Sequence, residues 1–172
     1  MKTKNIFKCA FAVIIAAAFF SCSNTRNIKI DPPLTGTEVK NLIDSQSFVF
    51  IPQYVNPMSG RRRDLSSGFE LSISKDTLIS YLPFFGRGYT APISPSDVDF
   101  DFTSTKFSYT VEAVKRGWNI SVKPKDQTYL RELFFRIYDN AAASLNVTSN
   151  DRSSISYDGY ITRRKSYKEN KK

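Results

Sequence analysis

From Phe48 onward the apolar residues of this chain recur at every second position, a period that suits half-buried strands and excludes long amphipathic helices. Phe69, Leu71 and Ile73 alternate with Glu70, Ser72 and Ser74, and Val98, Phe100 and Phe102 alternate with Asp97, Asp99 and Asp101. Phe107, Tyr109 and Val111 follow, and Trp118, Ile120 and Val122 come after the turn Lys115-Arg116-Gly117. Because successive side chains of a strand point to opposite faces, each run has one face for a core and one for water. Three more strands are expected over 129–138, 142–148 and 153–162, separated by Asp139-Asn140 and Ser149-Asn150-Asp151. In the first of them Leu133, Phe135 and Ile137 line one face while Phe134 and Tyr138 add bulk to the other, which predicts a central strand. About eight short strands joined by polar turns describe an all-β antiparallel meander closed as a barrel or sandwich. One short N-terminal helix precedes them, over 38–44, capped by Thr35 or Thr37, with Val39, Leu42 and Ile43 on one side.

Residues 1–21 read as a lipoprotein signal peptide. Lys2, Lys4 and Lys8 form a positive start, 10–20 is apolar, and Ser21 places a small residue before Cys22. The apolar run falls short of the roughly 20 residues a spanning helix needs, which favours export over a membrane span. Phe19 and Phe20 depart from the aliphatic residue usual upstream of a lipidated cysteine, and an ordinary secretory signal cut near Ser21 or Ser23 is the alternative. Lipidation at Cys22 would place two or more acyl chains in the bilayer, the condition for stable anchoring. Residues 22–34 then form a polar tether that ends in Pro32-Pro33, residues 35–165 a single β domain, and 166–172 a basic, disordered tail.

Processing before Cys22 changes the charge. Without Lys2, Lys4 and Lys8, 22 basic residues face 16 acidic ones, a net +6. Arg163, Arg164, Lys165, Lys168, Lys171 and Lys172, less Glu169, carry +5 of it, so a nearly neutral body bears a basic tail. The chain has no histidine, and its two cysteines, Cys9 and Cys22, belong to the signal region. That excludes histidine triads, thiol nucleophiles, the common zinc sites and disulfides from the domain, and no cofactor motif is present. Any enzyme built on this chain would have to work with Asp, Glu, Lys, Tyr or Ser.

Two irregular stretches interrupt the strands. Residues 56–67 carry Arg61-Arg62-Arg63, and 83–96 carry Pro83, Pro92 and Pro95, Gly86 and Gly88, and the large groups Phe84, Phe85 and Tyr89. Aromatic residues in a loop are either packed down or used for contact. The run Leu82-Pro83-Phe84-Phe85-Gly86-Arg87-Gly88-Tyr89, preceded by Asp76-Thr77-Leu78, resembles the signature of an uncharacterised Bacteroidetes lipoprotein family, domain of unknown function 4251. The run from Val147 through Asn150-Asp151-Arg152-Ser153 to Tyr157-Asp158-Gly159 is similar to that family's second motif, and the likeness extends over about 38–161. It implies a lipocalin-like barrel or closed sandwich and supplies no activity, substrate or catalytic residue. Gly88 stands where alanine is expected after the arginine. In Bacteroidetes lipoproteins an acidic run after the cysteine resembles a surface-export tag; Ser23-Asn24-Thr25-Arg26-Asn27 lacks one, which points to an envelope protein facing the periplasm.

Phe84, Phe85, Arg87 and Tyr89 are the expected contact residues. A guanidinium among aromatic rings suits a carboxylate or phosphate, while the same arginine can instead tie its own loop to carbonyls, Asp97 or Asp99. Asp97, Asp99 and Asp101 share a strand face at about 7 Å spacing, which suits an inverting glycosidase or a calcium site, although any solvated strand face shows the same alternation. Arg61-Arg62-Arg63 and Arg163-Arg164-Lys165 can meet lipid phosphates or anionic glycans, or simply be solvated. The aromatic residues fill a small barrel or line a ligand cavity at its mouth. These readings combine into a lipid-anchored, non-catalytic binding or structural module. Its expected partners are the membrane through Cys22 and a small apolar or anionic ligand or an envelope protein, with no nucleic acid; the alternative is an envelope-glycan hydrolase using Asp99 and Asp101.

Overall fold

The computed structural model describes residues 34–89 and 99–164. The signal peptide, Cys22, nearly all of the tether, Asp97 and the basic tail beyond Arg164 lie outside the described residues. Helix α1 (Gly36–Asp44) is followed by ten strands. They are β1 (Phe48–Pro57), β2 (Arg63–Asp64), β3 (Glu70–Ile73), β4 (Leu78–Leu82), β5 (Phe100–Ser104), β6 (Phe107–Val114), β7 (Gly117–Pro124), β8 (Leu130–Tyr138), β9 (Ala142–Ser149) and β10 (Ile155–Thr162).

All pairings are antiparallel, in the order β5-β4-β3-β1-β10-β9-β8-β7-β6, with the short β2 beside the second half of β1. The two ends of that path, β5 and β6, run in the same direction and are separated only by Thr105 and Lys106. They are therefore two halves of one bent strand, the first bonded to β4 and the second to β7. Counted so, the molecule is a nearly closed up-and-down barrel of eight strands in which sequence neighbours are spatial neighbours and β10 returns to β1. At Thr105-Lys106 the chain bends without reversing.

The bend is held by the turn from β7 to β8. Asp126 accepts hydrogen bonds from the Ser104 hydroxyl, the Thr105 amide (2.9 Å) and the Lys106 amide (3.2 Å), and the Lys125 amide donates to the Lys106 carbonyl. The Ser104 hydrogen bond foremost, with these amides, holds the Asp126 carboxyl below its usual range.

Alternation fills the interior. Leu78, Ser80 and Leu82 of β4, Phe100, Phe102 and Ser104 of β5, Leu133, Phe135 and Ile137 of β8, and Ile155, Tyr157 and Ile161 of β10 are buried. Phe135 meets Phe48 and Phe50 edge-on at 6.1 and 5.7 Å, an arrangement aromatic rings prefer. Gly159 is buried in β10 where β1 bulges between Pro52 and Tyr54; a Cβ there would fall 2.0 Å from the Ile51 carbonyl oxygen, so only glycine lets the two strands approach.

Strand direction gives the barrel two ends. At one, α1 covers the interior with Val39 and Ile43, and Tyr109 donates to the Ile43 carbonyl at 3.1 Å. Thr35, not Thr37, caps α1, in a reciprocal capping box with Glu38. The start of β1, the end of β10 and the turn at Asp139 lie at this helix end. The other, the loop end, gathers the connections 58–69, 125–129 and 150–154 and the described residues 83–89. β8 is central, paired with β7 on one side and β9 on the other, while Phe134 and Tyr138 on its outer face are 39% and 42% exposed.

Candidate functional site

The two sequence motifs, far apart in the chain, meet at the loop end. The Ser153 amide donates to the Arg87 carbonyl at 2.9 Å, the Arg87 amide to the Ser153 hydroxyl at 3.1 Å, and the Tyr89 amide to the Asp151 carbonyl at 2.7 Å. Gly88 and Arg152 form an isolated antiparallel bridge between these contacts. Segment 87–89 is in effect a short extra strand on 151–153.

The base of the loop is fixed by buried groups. The Tyr157 hydroxyl donates to the Pro83 carbonyl at 2.8 Å, and burial, then the nearby Asp99 charge, push that hydroxyl's pKa well above its usual value. The Phe84 amide donates to Asp99 Oδ1 at 3.0 Å, and the Phe84 ring, only 8% exposed, meets Phe100 edge-on at 5.5 Å. Gly86 is required by space: a Cβ would fall 2.4 Å from the Phe84 ring and 2.5 Å from Ser153 Oγ.

Arg152 sits under this junction with its side chain 10% exposed. Its guanidinium lies 5.1 to 5.6 Å from the ring centres of Phe84, Phe100 and Tyr129 and makes two hydrogen bonds to Asp151. Burial works against the Asp151 charge, but the hydrogen bond and charge of Arg152 outweigh it and keep that carboxyl below its usual range.

Outside this frame the side chains at odd positions are left to solvent: Phe85 is 37% exposed, Tyr89 68%, and Arg87 is exposed with no ion pair among the described residues. The loop that carries Arg61-Arg62-Arg63 comes to the same place. Arg63 stacks over Phe85 at 4.9 Å, and Arg62 stacks over Tyr54 at 3.9 Å while pairing with Asp158 at 3.4 Å. Of the four expected contact residues, Phe85, Arg87 and Tyr89 form one surface, whereas Phe84 belongs to the core. Arg87 ties its loop through its main chain, not through its guanidinium. Asp99 is engaged with the Phe84 amide, Asp101 is exposed on the outer face of β5, and Asp97 lies outside the described residues. Among the described residues no group of three or more acidic, histidine or cysteine side chains is placed to hold a metal ion, and no helix is long and apolar enough to cross a membrane.

The architecture is that of a small eight-stranded barrel whose loop end is closed by two interlocked motifs. The chain belongs to the family described as "Domain of unknown function (DUF4251)", which matches residues 35–161. Among solved structures it is similar to a DUF4251 family protein from Bacteroides eggerthii, at 14% identity and a TM-score of 0.56, with 74% of this chain and 87% of that one covered. Comparison with curated proteins finds no match.

Proposed function

We propose that the protein is a non-catalytic binding module of the cell envelope, anchored by lipids on Cys22, with Phe85, Arg87, Tyr89 and Arg63 as its contact surface. The observation that carries this reading is the division of labour within 83–89: the main chain is pinned to the second motif and the barrel, while alternate side chains are left without work in the fold. Large groups on a fixed backbone lose little freedom on binding, which favours affinity. A guanidinium between aromatic rings suits a ligand with a carboxylate or phosphate beside an apolar body, whether a small molecule or a side of another envelope protein. The domain begins at the helix end, so the contact surface lies at the end of the barrel farther from the Cys22 anchor. Asp99 already holds the Phe84 amide, which supports a structural role for it over general acid-base work.

The test is native and denaturing mass spectrometry of the lipidated protein purified from its own envelope, beside a variant carrying Arg87→Ala and Tyr89→Ala. A discrete mass or partner present on the wild type, lost on denaturation and absent from an equally stable variant is the expected result. Equal occupancy in both, or none in either, would overturn the assignment of the surface. Asp99→Asn should leave occupancy intact.

A further inference from the structure

Each half of the bent strand made by β5 and β6 leaves one edge without a neighbouring strand. On β5 that edge is covered by the turn from β7 to β8: Gln127 Nε2 donates to the Thr103 carbonyl at 3.0 Å, and Asp126 accepts the Thr105 amide. On β6 only β7 pairs, and among the described residues no main-chain hydrogen bond reaches the other edge. Val114 and Gly117 pair across the loop Lys115-Arg116, so they exchange main-chain hydrogen bonds. Exchanging pairs recur at every second position, at Glu112, Thr110 and Ser108, and the Lys125 amide donating to the Lys106 carbonyl continues the series. The amides and carbonyls of Tyr109, Val111 and Ala113 therefore point to the open edge. Proteins blunt such edges with lysine, proline, a bulge or brevity. β6 is eight residues long and has none of these, its residues 110–113 are exposed, and Val111 is 38% exposed although it pairs with the buried Ile120.

We propose that the open edge of β6 binds an extended acidic segment of another protein as an added strand. Main-chain hydrogen bonds would supply affinity, and alternate side chains specificity. The charges select the partner. Lys106 and Lys125 stand at one end of the hairpin and Lys115-Arg116 at the other, with Glu112 between, while Lys123 is 3.8 Å from Glu132 on β8. Carboxylates near both ends of an incoming strand meet these cations, and apolar groups at alternate positions continue the face of Tyr109, Val111 and Ala113. A second copy of this chain is a poorer match. Antiparallel pairing of two β6 edges sets Lys106 of each copy near the Lys115-Arg116 tip of the other, and like charges opposed across strands destabilise.

The experiment follows amide hydrogen exchange by NMR on the isotope-labelled full chain. The probe is a capped seven-residue peptide of alternating glutamate and valine. With the peptide at about ten times its Kd, exchange at Tyr109, Val111 and Ala113 should slow roughly tenfold. A peptide with lysine in place of glutamate, and one N-methylated throughout, which keeps the charge and cannot pair as a strand, should each leave exchange unchanged. Val111→Pro removes an amide that makes no bond to β7, so it should keep the melting temperature and abolish the slowing at Tyr109 and Ala113. The methylated peptide needs no variant and decides the matter even if Val111→Pro fails to fold. No slowing with the acidic peptide, or equal slowing with the lysine or methylated one, would overturn the proposal. Protection of these three amides in the free protein that grows with its concentration would give the edge to a second copy and overturn it as well.

Discussion

At the helix end of the barrel polar side chains are consumed by the fold, whereas at the loop end the main chain is consumed and the side chains are released. Glu38 completes the cap of α1 and pairs with Arg163, Lys40 pairs with Asp44, and the Tyr109 hydroxyl donates to the Ile43 carbonyl of the helix. At the loop end the amides and carbonyls of 87–89 and 151–153 satisfy one another, Arg152 is caged by three rings, and Phe85, Arg87 and Tyr89 carry no comparable duty. Closing a barrel needs something at each end; only one closure here also leaves a rigid, chemically varied surface behind.

The largest expected effect separates frame from surface. Phe84→Ala should destabilise the protein by about 3–5 kcal/mol in urea unfolding, because it empties a buried ring position under Arg152. Phe85→Ala, one residue away, should stay within about 0.5 kcal/mol. Comparable costs for the two would erase the distinction between them.

Next comes the hydroxyl under the loop. Tyr157→Phe leaves the buried Pro83 carbonyl without its donor and should cost about 1–2 kcal/mol. The pKa of this phenol is raised above its ordinary 10.0 in the folded state, so its contribution is complete below pH 10 and is lost as pH rises beyond it. Wild-type stability should therefore fall steeply in alkali, and Tyr157→Phe should flatten that limb in a pH series of melting temperatures.

The helix end gives the smallest effect. Thr35→Ala removes the cap of α1 and should cost about 1 kcal/mol without altering loop-end binding. Glu38, Asp126 and Asp151 all have lowered carboxyl pKa values, Glu38 chiefly through the Thr35 amide. Groups lowered in the folded state add stability above their ordinary values of 4.5 and 3.8 and lose it as pH falls through the folded values. Acid unfolding should thus begin near pH 4, and Thr35→Ala, which removes the hydroxyl bond to Glu38 and keeps the amide bond, should make its Glu38 component only slightly shallower.

The period-two pattern made the barrel legible because burial on one face leaves its mark on every strand, and the last three strands begin and end close to where the pattern places them. A threonine cap was legible for the same local reason, with Thr35 and Thr37 both open, and the structure uses Thr35. Ring closure was not. Whether Thr105-Lys106 reverses the chain or only bends it depends on Asp126, some twenty residues later, and a lone Asp in a polar turn carries no mark of that duty. The sequence pointed to Arg87 through its flanking glycines and missed Arg152, whose cage is assembled from Phe84, Phe100 and Tyr129 on separate segments. The two motifs were visible singly; that they interlock is a property of the closed barrel.

The most direct test of the loop end as a pinned surface with free side chains is photo-crosslinking in intact cells. A photoreactive phenylalanine would replace Phe85 or Tyr89 and, as a reference, Ile79 on the outer barrel wall, which is 40% exposed. Discrete adducts from positions 85 and 89 and none from 79, with unchanged melting temperatures, are the predicted result. Adducts from position 79 alone, or the same diffuse labelling at all three, would contradict it.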